Sequence, residues 1–191
     1  MIGSHDSYTY LNALDSTVNS FTRYWRCQKK TIIEQYKAGV RFFDIRVARD
    51  VKSDGRKIWR VCHGYADLSK VYATLKAICV YFTSSLKGCS FRIWFEKGTD
   101  EEWAEFVDEI KPLIEKYPNL LQVVRKDPEI IYYVSPKYPK LEYYAFNDWS
   151  VKTVLCGLLE DPIKSWAKEH NPEITQEMID DEKTLYFMDY V

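Results

Sequence analysis

At 191 residues the chain has room for one domain with a sizeable core, and its formal net charge of −1 provides no overall field to recruit nucleic acid or an acidic membrane. A hydrophobic content of 46% with 29% charged residues is that of a globular protein with a well-solvated surface. No apolar run approaches the roughly 20 residues that span a bilayer.

Met1 is followed at once by "IGSHDSYTY", with neither a basic region nor an apolar leader core. The five cysteines (Cys27, Cys62, Cys79, Cys89 and Cys156) are odd in number and lack metal-ligand spacing. They are expected as reduced, mostly buried thiols of a cytoplasmic protein. A secreted chain already relieved of its signal peptide would read the same way.

The opening "IGSHDSYTY" reads as a short strand running into a loop, with His5 and Asp6 just past the strand. Chain ends usually fray, so a functional pair placed here has to be tied down by something else. In "KKTIIEQYKAGVRFFDIRVARD", Ile32, Ile33 and Tyr36 sit at helical spacing and Gly39 supplies the stop. The segment "VRFFDIRV" then alternates. Val40, Phe42, Asp44 and Arg46 share one face, and Phe43, Ile45 and Val47 the other.

A second strand, "IWRVCHG", follows the turn-like "SDGRK" and ends at His63 and Gly64. Leu68, Val71, Tyr72, Leu75, Ile78, Cys79 and Phe82 recur at i, i+3, i+4 and i+7, which predicts a helix over that stretch. "CSFRIWFE" is a strand ending in Glu96. Thr99 and Glu102 make a capping box ahead of an amphipathic helix carrying Trp103, Phe106, Val107, Ile110, Leu113 and Ile114, with Pro112 bending its last turn.

Farther on, "LLQVV" and "IIYYV" read as strands and "SPKYPKLEYY" as a proline-punctuated loop. "SVKTVLCGLLEDPIKSWAKEH" is helical at least to Asp161, and His170 reads as a solvated loop residue. "TLYFMDYV" closes the chain as a strand with Asp189 near its end. The cluster Tyr132, Tyr133, Tyr143, Tyr144, Phe146 and Trp149 reads first as core, with some rings available to a sugar or a membrane. No repeat or linker interrupts residues 1–191, so a single domain is expected.

Alternating strands and helices imply an α/β fold with a parallel sheet. His5, Asp44 with Arg46, His63, Glu96 and Asp189 each fall at or near the C-terminal end of a predicted strand. In a (β/α) barrel those ends converge on the face that carries the active site.

"GSHDS", then "TIIEQYKAGVRFFDIRV", then "VCHG", in this order and spacing, closely resemble the catalytic half of phosphatidylinositol-specific phospholipase C. The bacterial, metal-independent branch is the nearer match because its second-strand motif is Asp-Ile-Arg, as in Asp44, Ile45 and Arg46. "LYFMDYV" resembles the family's last strand. The likeness is specific over residues 1–64 and weak over 98–183, and family barrels are longer. It implies a compact, shortened and distorted TIM barrel of the phospholipase C-like phosphodiesterase type.

The resemblance further implies His5 as general base oriented by Asp189, and His63 as general acid paired with Asp6. Arg46, held by Asp44, would stand where calcium-dependent relatives place a metal. The implied activity cleaves an inositol phosphodiester to diacylglycerol and a cyclic inositol phosphate, with no cofactor. Implied partners are a phosphoinositide and transient contact with a membrane surface, and no nucleic acid. Glu96 departs from the bacterial pattern. Asp6, Asp44 and Glu96 could together hold Ca²⁺, or Glu96 could simply pair with Arg46 and assist substrate binding. Alternative readings are a phosphodiesterase of glycerophosphodiester or sphingolipid head groups, and a non-catalytic phosphoinositide-binding relative. His63 beside Cys62 could be half of a metal site, but no second Cys or His lies at metal spacing.

Overall fold

A computed structural model of the chain describes residues 1–20, 25–64, 66–144 and 162–191. Its strands are β1 (Ile2–Ser4), β2 (Val40–Val51), β3 (Lys57–His63), β4 (Ala66–Ala73), β5 (Ser90–Lys97), β6 (Leu120–Arg125), β7 (Ile130–Val134), β8 (Lys140–Tyr143) and β9 (Thr184–Met188). The helices are α1 (Ser16–Ser20), α2 (Ile32–Lys37), α3 (Leu75–Val80), α4 (Asp100–Lys116), α5 (Pro162–His170) and α6 (Gln176–Asp180). Among the described residues, no helix is long and apolar enough to cross a membrane.

The sheet runs β7-β6-β5-β2-β1-β9-β8. Neighbours from β6 through to β8 are parallel, β7 is antiparallel to β6, and β3 and β4 fold back from β2 as antiparallel strands. The sheet curls on itself. Phe42 of β2, Leu121 of β6 and Leu185 and Phe187 of β9 meet across its concave side, closing the floor of a half-barrel. The result is the expected α/β fold, a shortened and distorted barrel.

The alternation read in β2 sets the two layers. Phe43, Ile45 and Val47 face outward into the main core with Trp59, Phe82, Phe91, Phe95 and Phe106. Burying each of these large side chains contributes about 1.5–3 kcal/mol. On the inner face, Phe42 joins the floor while Asp44 and Arg46 stand above it, both buried. Capping boxes start α2 (Thr31 with Glu34) and α4 (Thr99 with Glu102), and Gly39 leaves α2 at φ 101°. Pro112 lies inside α4 as expected.

β1 and β9 lie side by side, with Gly3 opposite Phe187 and the His5 N–H donating to Met188 O at 2.9 Å. The N-terminus is therefore held between β2 and the last strand. This pairing is interior to the sheet and does not close it into a full barrel. The sheet's ends, β7 and β8, are not hydrogen-bonded to each other.

Three expectations change. The predicted helix over Leu68–Phe82 is a strand up to Ala73 and turns helical only after Thr74, whose side chain accepts the Ala77 N–H. "SPKYPKLEYY" contains β8, a strand made by main-chain pairing to β9. His170 ends α5, and its ring stacks on Trp166 at 3.6 Å. Cys27, Cys62, Cys79 and Cys89 are free and buried. Cys156, Phe146, Trp149 and the helix expected before Asp161 lie outside the described residues.

Candidate active site

Each polar group of the inner face reaches the site by a different route. His5 leaves the end of β1, and Asp189 follows the end of the adjacent β9. Gln28 locks the two strand ends together by donating from Nε2 to His5 O (3.1 Å) and Met188 O (3.0 Å). His5 Nδ1 then faces Asp189 Oδ1 at 2.8 Å. Asp6 takes a left-handed backbone conformation, φ 44°, which an aspartate tolerates better than most residues. Its Oδ2 lies 3.2 Å from His5 Nε2 and 3.0 Å from His63 Nε2, so one carboxylate joins both rings. The ring centroids are 6.3 Å apart.

His63 does not arrive as expected, because β3 runs antiparallel to β2. β2 continues five residues past Arg46, and the hairpin brings β3 back until Val61 pairs with Val47. His63 Nδ1 then meets Trp25 O at 2.6 Å. A carbonyl only accepts, so Nδ1 carries the proton and Nε2 is the nitrogen left for chemistry.

Arg46 is the hub. Its Nε faces Asp6 Oδ1 and lies 3.1 Å from Asp44 Oδ2, and its Nη1 lies 3.4 Å from Glu96 Oε2. Its Nη2 donates to His5 Nε2 at 2.8 Å. Glu96 is buried and also accepts from Gly64 N–H (2.8 Å) and Lys126. The three carboxylates considered for Ca²⁺ thus converge on a guanidinium. A divalent cation at that point would stand against a like charge, so this donor set does not fit the ion.

The electrostatics separate the two histidines. Burial works against a charge on His5, but the carboxylates of Asp6 and Asp189 outweigh it and raise its pKa above the ordinary value. Burial lowers His63, with Arg46 and His5 adding to the effect against Asp6. Asp44 is buried, which alone would raise it, yet Arg92 and Arg46 hold it well below the usual carboxylate range. Glu96 is lowered too, burial being overcome by Arg46 and Lys126.

Sequence reading missed Arg92, Tyr143 and Trp94. Arg92 Nε donates to Asp44 Oδ1 at 2.8 Å, and Tyr143 Oη lies 3.0 Å from His5 Nε2. The guanidiniums of Arg46 and Arg92 each lie 4.9 Å from the Trp94 ring. The alternation of "SFRIWFE" puts Arg92 and Trp94 on the same face as Glu96 and was the available signal. Tyr143, assigned to a core cluster, instead joins the site. Beside Arg46 the half-barrel holds a cavity of about 350 Å³, lined by Arg92, Trp94, Gln122, Tyr138 and Tyr143 among others. Trp94 Nε1 is buried there without a hydrogen-bond partner. Asp189, His5, Asp6, His63, Arg46, Asp44 and Glu96 form one connected cluster.

No family model and no curated protein matches the chain. Solved structures do. The phosphatidylinositol-specific phospholipase C of Listeria monocytogenes is similar with a TM-score of 0.58 at 14% identity, over 100% of this chain and 87% of that one. The Staphylococcus aureus enzyme is similar with a TM-score of 0.52 at 17% identity, over 100% and 85% of the two chains. The chain therefore shares the fold of the bacterial phosphatidylinositol-specific phospholipases C.

Proposed function

We propose that the chain is a phosphodiesterase of the phosphatidylinositol-specific phospholipase C type. It would cleave an inositol phosphodiester to diacylglycerol and a cyclic inositol phosphate, by two-histidine acid/base catalysis without a metal. The observation that carries this reading is the chain of contacts from Asp189 through His5 and Asp6 to His63, with Arg46 donating to His5.

In this scheme His5 Nε2 takes the proton of the ring hydroxyl next to the phosphate. The freed oxygen pair forms a bond to phosphorus, and the bond from phosphorus to the glycerol oxygen breaks. His63 Nε2 gives its proton to that departing oxygen. Arg46 donates to the phosphoryl oxygens as charge builds on them, turning to them from His5 Nε2. His5 must start neutral and His63 protonated, so with His5 raised and His63 lowered the reactive pair is the minor protonation state of the free site. Trp94 Nε1 supplies a donor for a hydroxylated head group in the adjoining cavity.

The fold neighbours, both named for this activity, support the reading. The test is turnover of phosphatidylinositol by the purified chain, with and without EDTA. Activity that survives EDTA is expected. Activity restored only by added Ca²⁺ would replace Arg46 with a metal in the mechanism.

A further inference from the structure

A second cavity, of about 470 Å³, lies outside the catalytic cluster, between α5, the segment ahead of α2 and the residues that follow β9. Lys29 and Lys30 line it from one side, and Lys164 and Lys168, one helical turn apart on α5, from the other. The rest of the wall includes Ala167, Ile174, Met188 and Val191. No carboxylate among the described residues pairs with Lys29, Lys30 or Lys168, and no Asp or Glu lines the cavity.

Asn171 gives a second indication. Its Nδ2 donates to Asp189 O at 2.5 Å, while its Oδ1 is buried without a partner. An unsatisfied buried acceptor carries a desolvation cost that a donor placed there would relieve. The volume is in the range of small-molecule sites, and the exposed ammonium groups of Lys29, Lys30 and Lys168 over an apolar floor select a ligand with one anionic end and one apolar end.

We infer that this cavity binds an anionic amphiphile, an alkyl phosphate in chemical class, with the phosphate among the lysines and the alkyl part on Ala167, Ile174 and Met188. The phosphate oxygens would accept from the lysines, and a water between phosphate and Asn171 Oδ1 would donate to both. This site is separate from the catalytic cluster and does not depend on its reading.

The test uses the full ¹⁵N-labelled chain titrated with hexyl phosphate, following the amides of Lys30, Asn171, Tyr190 and Val191. Saturable shifts at these residues are expected, weakened at least tenfold in Lys29→Gln/Lys168→Gln. Both lysines are exposed, and a well-dispersed spectrum of the variant establishes that it folds. Hexanol should give no saturable shift, and inorganic phosphate should bind at least tenfold more weakly than hexyl phosphate. Shifts near Arg46 and Trp94 report any binding at the catalytic cavity, so the two sites are read separately. Absence of saturation at the pocket amides, equal affinity in the double variant, or equal affinity for inorganic phosphate would each overturn the inference.

Discussion

Asp44 is the residue whose removal should reveal how the site is held together. It is fully buried and accepts from three donors: Arg92 Nε at 2.8 Å, Arg46 Nε at 3.1 Å and the Asp6 N–H at 3.1 Å. Asp44→Asn keeps the shape and removes the charge. Arg46 would still have Asp6 and Glu96, but among the described residues Arg92 would have no carboxylate, only Gln122 at 3.5 Å and the Trp94 and Phe187 rings. Most of the cost therefore falls on Arg92. Leaving one buried charge uncompensated costs about 3–5 kcal/mol, a large part of a typical total of about 5–15 kcal/mol.

Urea unfolding at pH 7 measures this directly, as a lower midpoint at unchanged slope. The pH dependence supplies a second readout. Asp44 has a folded-state pKa depressed below its unfolded value. Its contribution is therefore present above the unfolded value of about 3.9 and is lost as pH falls toward the folded one. The wild-type chain should lose its advantage over Asp44→Asn across that acidic range. A variant within about 1 kcal/mol of wild type at pH 7 would refute the claim that this carboxylate anchors both arginines.

His5→Ala and His63→Ala should each lower turnover by about 10²–10⁴-fold, and a variant retaining more than about a tenth of the rate would lose its assigned role. Arg46→Lys should also be severe in a steady-state assay, because an ammonium cannot reproduce the planar fork that touches three carboxylates and His5; near-normal activity would remove Arg46 from the mechanism. NMR titration of the imidazole C–H signals should place His5 above the ordinary histidine value of about 6.5 and His63 below it, with limbs of kcat/KM on either side; the reverse order would undo the account of burial and neighbouring charge at the two rings. Gly3→Val should destabilise by about 1–3 kcal/mol, since even a Cβ there would meet Leu185 Cδ1 at 2.6 Å and Phe187 Cδ2 at 2.8 Å, and calorimetry showing an unchanged Tm would contradict that packing.

The inner face of β2 was legible because a strand alternates, so Asp44 and Arg46 had to share the side of Phe42. The neighbourhood of His5 and Asp189 was legible from the family resemblance at the two ends of the chain. The hairpin that delivers His63 was not, because strand direction follows from pairing partners, and "IWRVCHG" reads the same parallel or antiparallel. Leu68 and Leu75 are seven residues apart, a spacing that suits one helix and equally a strand followed by a helix. Only the cap at Thr74 decides between them. Arg92 looked like an ordinary strand residue until the register of β5 against β2 placed it directly beside Asp44. Tyr143 was hidden for the reason β8 was: its strand exists through main-chain bonds to β9, which side-chain pattern does not encode.

The most direct test is phosphorus NMR of the products formed from phosphatidylinositol in the presence of EDTA. Attack by the neighbouring ring hydroxyl, with His5 as base and His63 as acid, requires a five-membered cyclic inositol phosphate to appear first, and that resonance is the expected result. Formation of only an open-chain phosphate from the outset, or no product until a divalent cation is added, would contradict the two-histidine, metal-independent mechanism.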